Sequence, residues 1–226
     1  MDRTTLNSIL SSTIEKSVAA RGAKPEAVWL DREGALEKGT RRCEALFRML
    51  DDDGSFTLLD VGCGPGFAVP FLEERFGPMA GRYLGIDISE ALILEARRLW
   101  TDQRFEVRDI VADPLPQRSF NYTVLNGVLT AKYSLSDEAM ENFACQILES
   151  CWQATKTAMS FNVMSPHVDW TRDDLFHWSL DKAAAFSVAR LSRNLNIISD
   201  YGLYEYSVQV FRSPRKAGDI PAGWDV

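Results

Sequence analysis

Apolar residues at Leu6, Ile9, Leu10, Ile14 and Val18 repeat at the spacing of one helix face, which predicts a helix over about residues 5–20. Gly22 and Pro25 end that run. A second helical pattern covers about 33–50, with Ala35, Leu36, Cys43, Leu46, Phe47 and Leu50 on one side, and Asp51-Asp52-Asp53-Gly54 forms the turn that closes it. From residue 56 the pattern changes to short apolar runs separated by amphipathic stretches. The runs at 56–61, 83–88, 105–109, 120–126 and 158–163 predict strands. Helices are predicted between them at 67–76, at 90–100 and from the Ser134/Asp137 capping pattern to about 152. Pro70 falls near the first turn of its helix, where a missing N–H costs least, and Ser89 stands where it can cap the next one. After 163 the pattern loosens through 164–180, and a helix follows over about 181–191. Two further strands, 195–200 and 206–211, are joined only by Tyr201-Gly202-Leu203, too short a connection for a parallel crossover, so this pair is antiparallel.

Strands alternating with helices predict an α/β fold with a doubly wound, mostly parallel sheet of seven strands and an antiparallel C-terminal strand. At 226 residues the chain is expected to form one domain: an N-terminal helical cap (1–53), a core (54–212) and a tail (213–226).

Charge narrows the partners. The 25 basic and 32 acidic residues leave a formal net charge of -7, which disfavours a broad phosphate-binding surface and hence a nucleic-acid partner. The doubled arginines Arg41-Arg42 and Arg97-Arg98 sit in helical patterns and read as solvated faces. Cys43, Cys63, Cys145 and Cys151 form no C-x-x-C pair and no zinc spacing with the two histidines, so reduced thiols, no metal and a cytoplasmic location are expected. No signal peptide and no membrane span are predicted, and nothing indicates the oligomeric state.

The chemistry concentrates at the carboxyl ends of the predicted strands. Asp60-Val61-Gly62-Cys63-Gly64-Pro65-Gly66 joins the first core strand to its helix with the spacing G-x-G-x-G, unlike the G-x-G-x-x-G of dinucleotide sites. Glycines there let backbone approach a ligand. Asp60 repels a pyrophosphate but suits a cationic amino group; the plain alternative is a tight turn without a ligand. Asp87 ends the second strand 21 residues after Gly66, near the spacing at which a carboxylate accepts from ribose hydroxyls. Its alternative role is to complement the following helix N-terminus. Asp109 with Ile110 could meet an adenine edge, or Asp109 could be a turn aspartate. Asn126-Gly127 ends the fourth strand beside the same crevice.

The series LLDVGCGPG, YLGIDIS, FEVRDI and YTVLNGVL resembles the successive motifs of class I S-adenosylmethionine-dependent methyltransferases over about residues 56–212. The resemblance implies a Rossmann-like core and S-adenosylmethionine as cofactor. It assigns the methionine portion to Asp60, Gly62, Cys63, Gly64 and Gly66, ribose and adenine to Asp87 and Ile88, and adenine to Asp109 and Ile110. The flanks, with Trp29, Arg42, FNVMSP at 161–166 and SDYGLYEYSVQVFR at 199–212, resemble a bacterial subgroup of small methyltransferases. In that group an N-terminal tryptophan and arginine close over the cofactor, which implies Trp29 and Arg42; helix packing and surface charge are the other reading of both.

Methyl transfer requires alignment and exclusion of water, and a base only for a weakly acidic acceptor. His167, Asp169 and His177 in the loosely patterned stretch are the candidate bases, and Trp170 and Trp178 are candidates to shape an acceptor pocket or to pack in the core. No amino-group DNA methylase signature and no catalytic-cysteine motif is present, so a small-molecule acceptor attacked at oxygen or nitrogen is expected. The rival expectations are an NAD-type oxidoreductase on a similar fold and a non-catalytic nucleotide-binding or scaffold protein.

Overall fold

The computed structural model describes residues 9–10, 12–16, 19–20, 22, 35–50 and 55–215. Its helices are α1 (Ala35–Phe47), α2 (Val69–Phe76), α3 (Glu90–Leu99), α4 (Asp137–Ala154) and α5 (Leu180–Arg190). Its strands are β1 (Leu58–Val61), β2 (Tyr83–Asp87), β3 (Arg104–Val107), β4 (Phe120–Leu129), β5 (Thr155–Met164), β6 (Asn194–Ile198) and β7 (Glu205–Phe211). They form one seven-stranded sheet in the order β3-β2-β1-β4-β5-β7-β6. β7 runs antiparallel to both neighbours, and the remaining pairings are parallel. The expected α/β fold is therefore the observed one.

Period-two alternation divides the core between the two sheet faces. Leu59, Val61, Leu84, Ile86, Leu125 and Phe161 join α4 and α5 residues such as Ala144, Leu148 and Ala183. Leu58, Tyr83, Tyr122 and Val124 join Leu46, Phe47, Val69, Leu72, Ile93 and Ala96 from α1, α2 and α3. With both faces covered, β1 and β2 are buried at every position, which explains why they lack charged residues apart from Asp60 and Asp87 near their carboxyl ends. Strand order reverses between β1 and β4, so the helices that follow them leave on opposite faces and a crevice opens at the strands' carboxyl ends.

Several boundaries differ from expectation for identifiable reasons. The α4 cap is Ser136, which accepts from the Ala139 N–H, and not Ser134. Leu135, between them, is buried, and that fixes where the helix begins. Ser89 caps α3 as expected, accepting from Leu92 N–H, an arrangement worth about 1 kcal/mol. β4 runs three residues beyond the expected end, and its pairing with β5 shifts register between Leu125 and Leu129. Four steps on β4 there match two on β5, from Phe161 to Val163, which is a bulge. At the N-terminus, residues 9–10, 12–16 and 19–20 are helical and Leu10 is buried in the first core group. The loosely patterned stretch after β5 folds back on the loop after β4. Phe176 N–H donates to Thr130 O, and the Lys132 and Tyr133 N–H groups both donate to Asp174 O.

Candidate functional site

The turn after β1 is built from three glycines with left-handed backbone, Gly62 (φ 71°), Gly64 (φ 56°) and Gly66 (φ 83°). Two of them also lack room for a side chain. A Cβ on Gly62 would stand 2.3 Å from Val128 Cγ2, and one on Gly66 would stand 2.6 Å from Trp100 Cδ1. Trp100 in turn donates its Nε1–H to Pro65 O at 3.0 Å. The backbone donors of this turn are already used. Gly62 and Cys63 N–H donate to Ile86 O, Gly66 N–H to Cys63 O, and Gly64 N–H to Asp87 Oδ2 at 3.0 Å. A phosphate nest needs such donors pointing at the ligand, so this turn is not one, and the dinucleotide reading loses its anchor.

Acceptors line the adjoining cavity instead. Asp60 is 1% exposed, with Oδ2 taking the Tyr83 hydroxyl at 2.8 Å and Oδ1 buried without a partner among the described residues. Asn126 directs Nδ2 to Cys43 Sγ at 3.8 Å, and its Oδ1 is also buried and unpartnered among the described residues. Both residues line a cavity of about 20 Å3 together with Gly62, Cys63 and Gly64, enough for one group the size of water or ammonium. Burial, and secondarily the nearby Asp87, push the Asp60 carboxyl up to about 7 even though Tyr83 donates to it. A carboxylate held under that penalty is stabilised by a cation. Two orphan acceptors around an ammonium-sized space fit the amino end of S-adenosylmethionine.

A larger cavity of about 250 Å3 adjoins the small one, sharing Gly62 and Asn126. Its floor is the strand tips: Ile86, Asp87, Ile88, Asp109, Ile110 and Gly127. Asp87 accepts from Gly64 N–H through one oxygen and from Ser89 N–H through the other, and each oxygen keeps further acceptor capacity. Burial raises its pKa. Asp109 accepts from Val111 N–H at 3.0 Å, the geometry of a turn aspartate, while also lining the cavity. Cys63 lines the small cavity, and Gly66 lines neither: its missing Cβ serves the packing of Trp100.

The roof comes from segments far apart in sequence. Leu10 and Ile14, Lys38 and Arg42, Tyr133, Met164, Trp170, Arg172 and Leu175, and Leu203–Glu205 all face the cavity. Arg42 donates from Nε to Glu205 Oε1 at 2.7 Å, with side-chain exposures of 14% and 1%. Arg42 is thus no solvated helix residue, which corrects the expectation for this arginine; Arg41 is solvated, paired with Glu37 on the surface. Arg97 and Arg98 are both exposed, as expected of a solvated face, with Arg97 donating from Nε and Nη2 to Phe105 O and Arg98 pairing with Glu95. Trp29 lies outside the described residues.

None of the three candidate bases lines the cavity. His167 and Asp169 are exposed. His177 places Nδ1 2.7 Å from Ser165 O, with Nε2 buried and unpartnered among the described residues. An isolated parallel bridge pairs His177 with Met164. The tryptophans divide: Trp170 lines the cavity, edge-on to Tyr204 at 5.1 Å, whereas Trp178 is 2% exposed and packs between Phe176 and Phe186. Burial pushes the Cys43 thiol up to about 12 and Cys63 well above its ordinary range, which favours the protonated thiol at both. Sequence reasoning missed Tyr133, a non-glycine residue at φ 52° that lines the cavity. Burial, then Asp174 and Asp87, raise its pKa, so it stays a protonated donor. It also missed Val128 and Glu205. No local pattern marks these, because each becomes part of the site only through a bulge, a loop or a distant strand.

A family model described as a methyltransferase domain matches residues 58–151. A Mycobacterium tuberculosis protein, Rv1506c, which carries the name of a methyltransferase, is 28% identical over 170 residues, covering 72% of this chain and 97% of its own. Among solved structures, Synechocystis PCC 6803 magnesium protoporphyrin IX methyltransferase with bound S-adenosylhomocysteine superposes with a TM-score of 0.66 at 14% identity, covering 92% of this chain and 99% of that one. Burkholderia thailandensis 1,6-didemethyltoxoflavin-N1-methyltransferase gives 0.65 at 16% identity, covering 93% and 90%. At these identities the two structures establish a shared fold.

Proposed function

We propose that this chain is a class I S-adenosylmethionine-dependent methyltransferase, a reading supported by the methyltransferase-domain match and the methyltransferase relative, and that it methylates a small-molecule acceptor at oxygen or nitrogen inside the roofed cavity. The observation that carries the reading is the pair of buried oxygens of Asp60 and Asn126, unpartnered among the described residues, at one end of a crevice whose floor carries two further acids, Asp87 and Asp109.

In this reading Asp60 and Asn126 accept from the cofactor's ammonium, with Gly62, Cys63 and Gly64 giving the methionine portion a wall of backbone. Asp87 accepts from ribose hydroxyls with the lone pairs that Gly64 and Ser89 leave. Ile88 and Ile110 supply apolar contact to adenine, and Asp109 and the Ile110 amide meet its edge. Arg42, fixed by Glu205, closes the cavity from α1. The cofactor supplies an activated methyl group on a sulfonium, whose transfer is an in-line displacement needing alignment more than proton chemistry. Alignment falls to the roof. Trp170, Tyr204, Leu175 and Met164 give the acceptor apolar walls and exclude water, Arg172 sits at the rim, and the protonated Tyr133 hydroxyl donates to an oxygen or nitrogen of the acceptor.

Labelled-methyl transfer from S-adenosylmethionine to a metabolite extract tests the activity. Asp87→Ala tests the cofactor assignment: calorimetry on the folded variant should show affinity weaker by about 1–3 kcal/mol, the scale for lost hydrogen bonds to a charged group. An unchanged dissociation constant removes the ribose role.

A further inference from the structure

We infer that Asn162, a residue of β5 that lines neither cavity, is the positioning residue that shapes the cofactor wall, because its side chain replaces the backbone ladder where β4 bulges into the site. The inference rests on the cofactor reading above. At the bulge β4 carries more residues than β5 can pair, so backbone groups of Asn126, Gly127 and Val128 lose their regular partners. A buried N–H left without an acceptor is costly. Asn162 lies on β5 between Phe161 and Val163, opposite the surplus residues, and is fully buried. Its Oδ1 accepts from Gly127 N–H at 2.7 Å. The amide orientation follows from chemistry, since an N–H can face only an oxygen. On the other side of the same residue, Thr130 donates its hydroxyl to Gly127 O at 2.8 Å. Gly127 is held at φ 82°, a conformation most residues avoid.

Two consequences at the site follow from that clamp. The residue before Gly127 is Asn126, whose orphan oxygen faces the ammonium-sized space. The residue after it is Val128, whose Cγ2 occupies the position that a Gly62 Cβ would need. Thus one side-chain amide sets both the polar end of the cofactor cavity and the residue that lies over the glycine turn. In a regular β4, successive side chains would alternate between the sheet faces, and this arrangement could not form.

The test uses the full chain and S-adenosylhomocysteine as the probe, with binding measured by calorimetry well below the unfolding midpoint. Asn162→Leu, which keeps volume and removes the acceptor, should raise the dissociation constant ten-fold or more. Asn162→Asp, which keeps an oxygen for Gly127, should stay within about three-fold of the wild type; this rescue separates positioning from bulk packing. Amide exchange at Gly127, followed by NMR, should be slow in wild type and Asn162→Asp and faster in Asn162→Ala, which serves if the leucine variant does not fold. Failure of the wild type to bind the probe would sink the cofactor reading itself. Wild-type binding with equal affinity in folded Asn162→Leu or Asn162→Ala, or unchanged Gly127 exchange, overturns the role given to Asn162.

Discussion

Asp60 shows how one residue links stability to binding. Its carboxyl is raised to about 7 by burial, against an ordinary value of 3.8. Since the folded-state pKa lies above the unfolded one, the folded protein holds this proton more tightly, and the associated stability is complete below about 4 and is lost as pH rises through about 7. The apo protein should therefore lose thermal stability between pH 5 and pH 8 relative to Asp60→Asn, which cannot ionise. Equal pH dependence in the two proteins would show that Asp60 does not titrate in this window. Cofactor binding has the opposite sign. A cation prefers the carboxylate, so affinity for S-adenosylhomocysteine should rise from pH 6 to pH 8 in the wild type and stay flat in Asp60→Asn, as read by calorimetry. The sequence made Asp60 conspicuous by placing an acid before a glycine turn. That Tyr83 consumes one of its oxygens, 23 residues away, is information no local pattern holds.

Among the elements, the β1–α2 turn and the α1–β7 contact were legible to different degrees. The three glycines announced the turn, but two of their physical reasons lie elsewhere in the chain: Val128 on β4 and Trp100 after α3. Gly66→Ala should cost about 2–4 kcal/mol in chemical denaturation, combining left-handed backbone strain with overpacking against Trp100. A variant as stable as wild type would mean that Trp100 moves aside freely. α1 was predictable as an amphipathic helix, whereas its half-buried ion pair with β7 was not, because Arg42 and Glu205 are 163 positions apart. Strand ends were less legible than strand centres. The bulge in β4 and the plug of Leu135 before α4 depend on what the neighbouring strand or core demands.

For the whole molecule, the sheet order puts the β1 and β4 tips side by side, and the segments that roof them come from the N-terminal helical residues Leu10 and Ile14, from α1, from the loops after β4 and β5, and from the approach to β7. Cofactor binding should accordingly stabilise the folded chain by mass action, and Tyr133→Phe should leave that stabilisation intact while lowering kcat/KM for the acceptor about ten-fold. Equal loss of S-adenosylhomocysteine affinity would place Tyr133 on the cofactor instead. What the sequence determined by itself was periodic or contiguous: alternating strands and helices, the antiparallel final pair, the glycine turn, and acids at successive strand ends. Those features are legible because secondary structure and strand-end chemistry depend on neighbours a few residues apart. Tertiary structure alone decided which residues share the cavity. It left His167, Asp169 and His177 outside, sent Trp178 to the core, and brought in Tyr133, Val128, Glu205 and, through Gly127, Asn162. Contacts between segments separated by tens of residues are set by strand order and packing, and neither leaves a local signature in the chain.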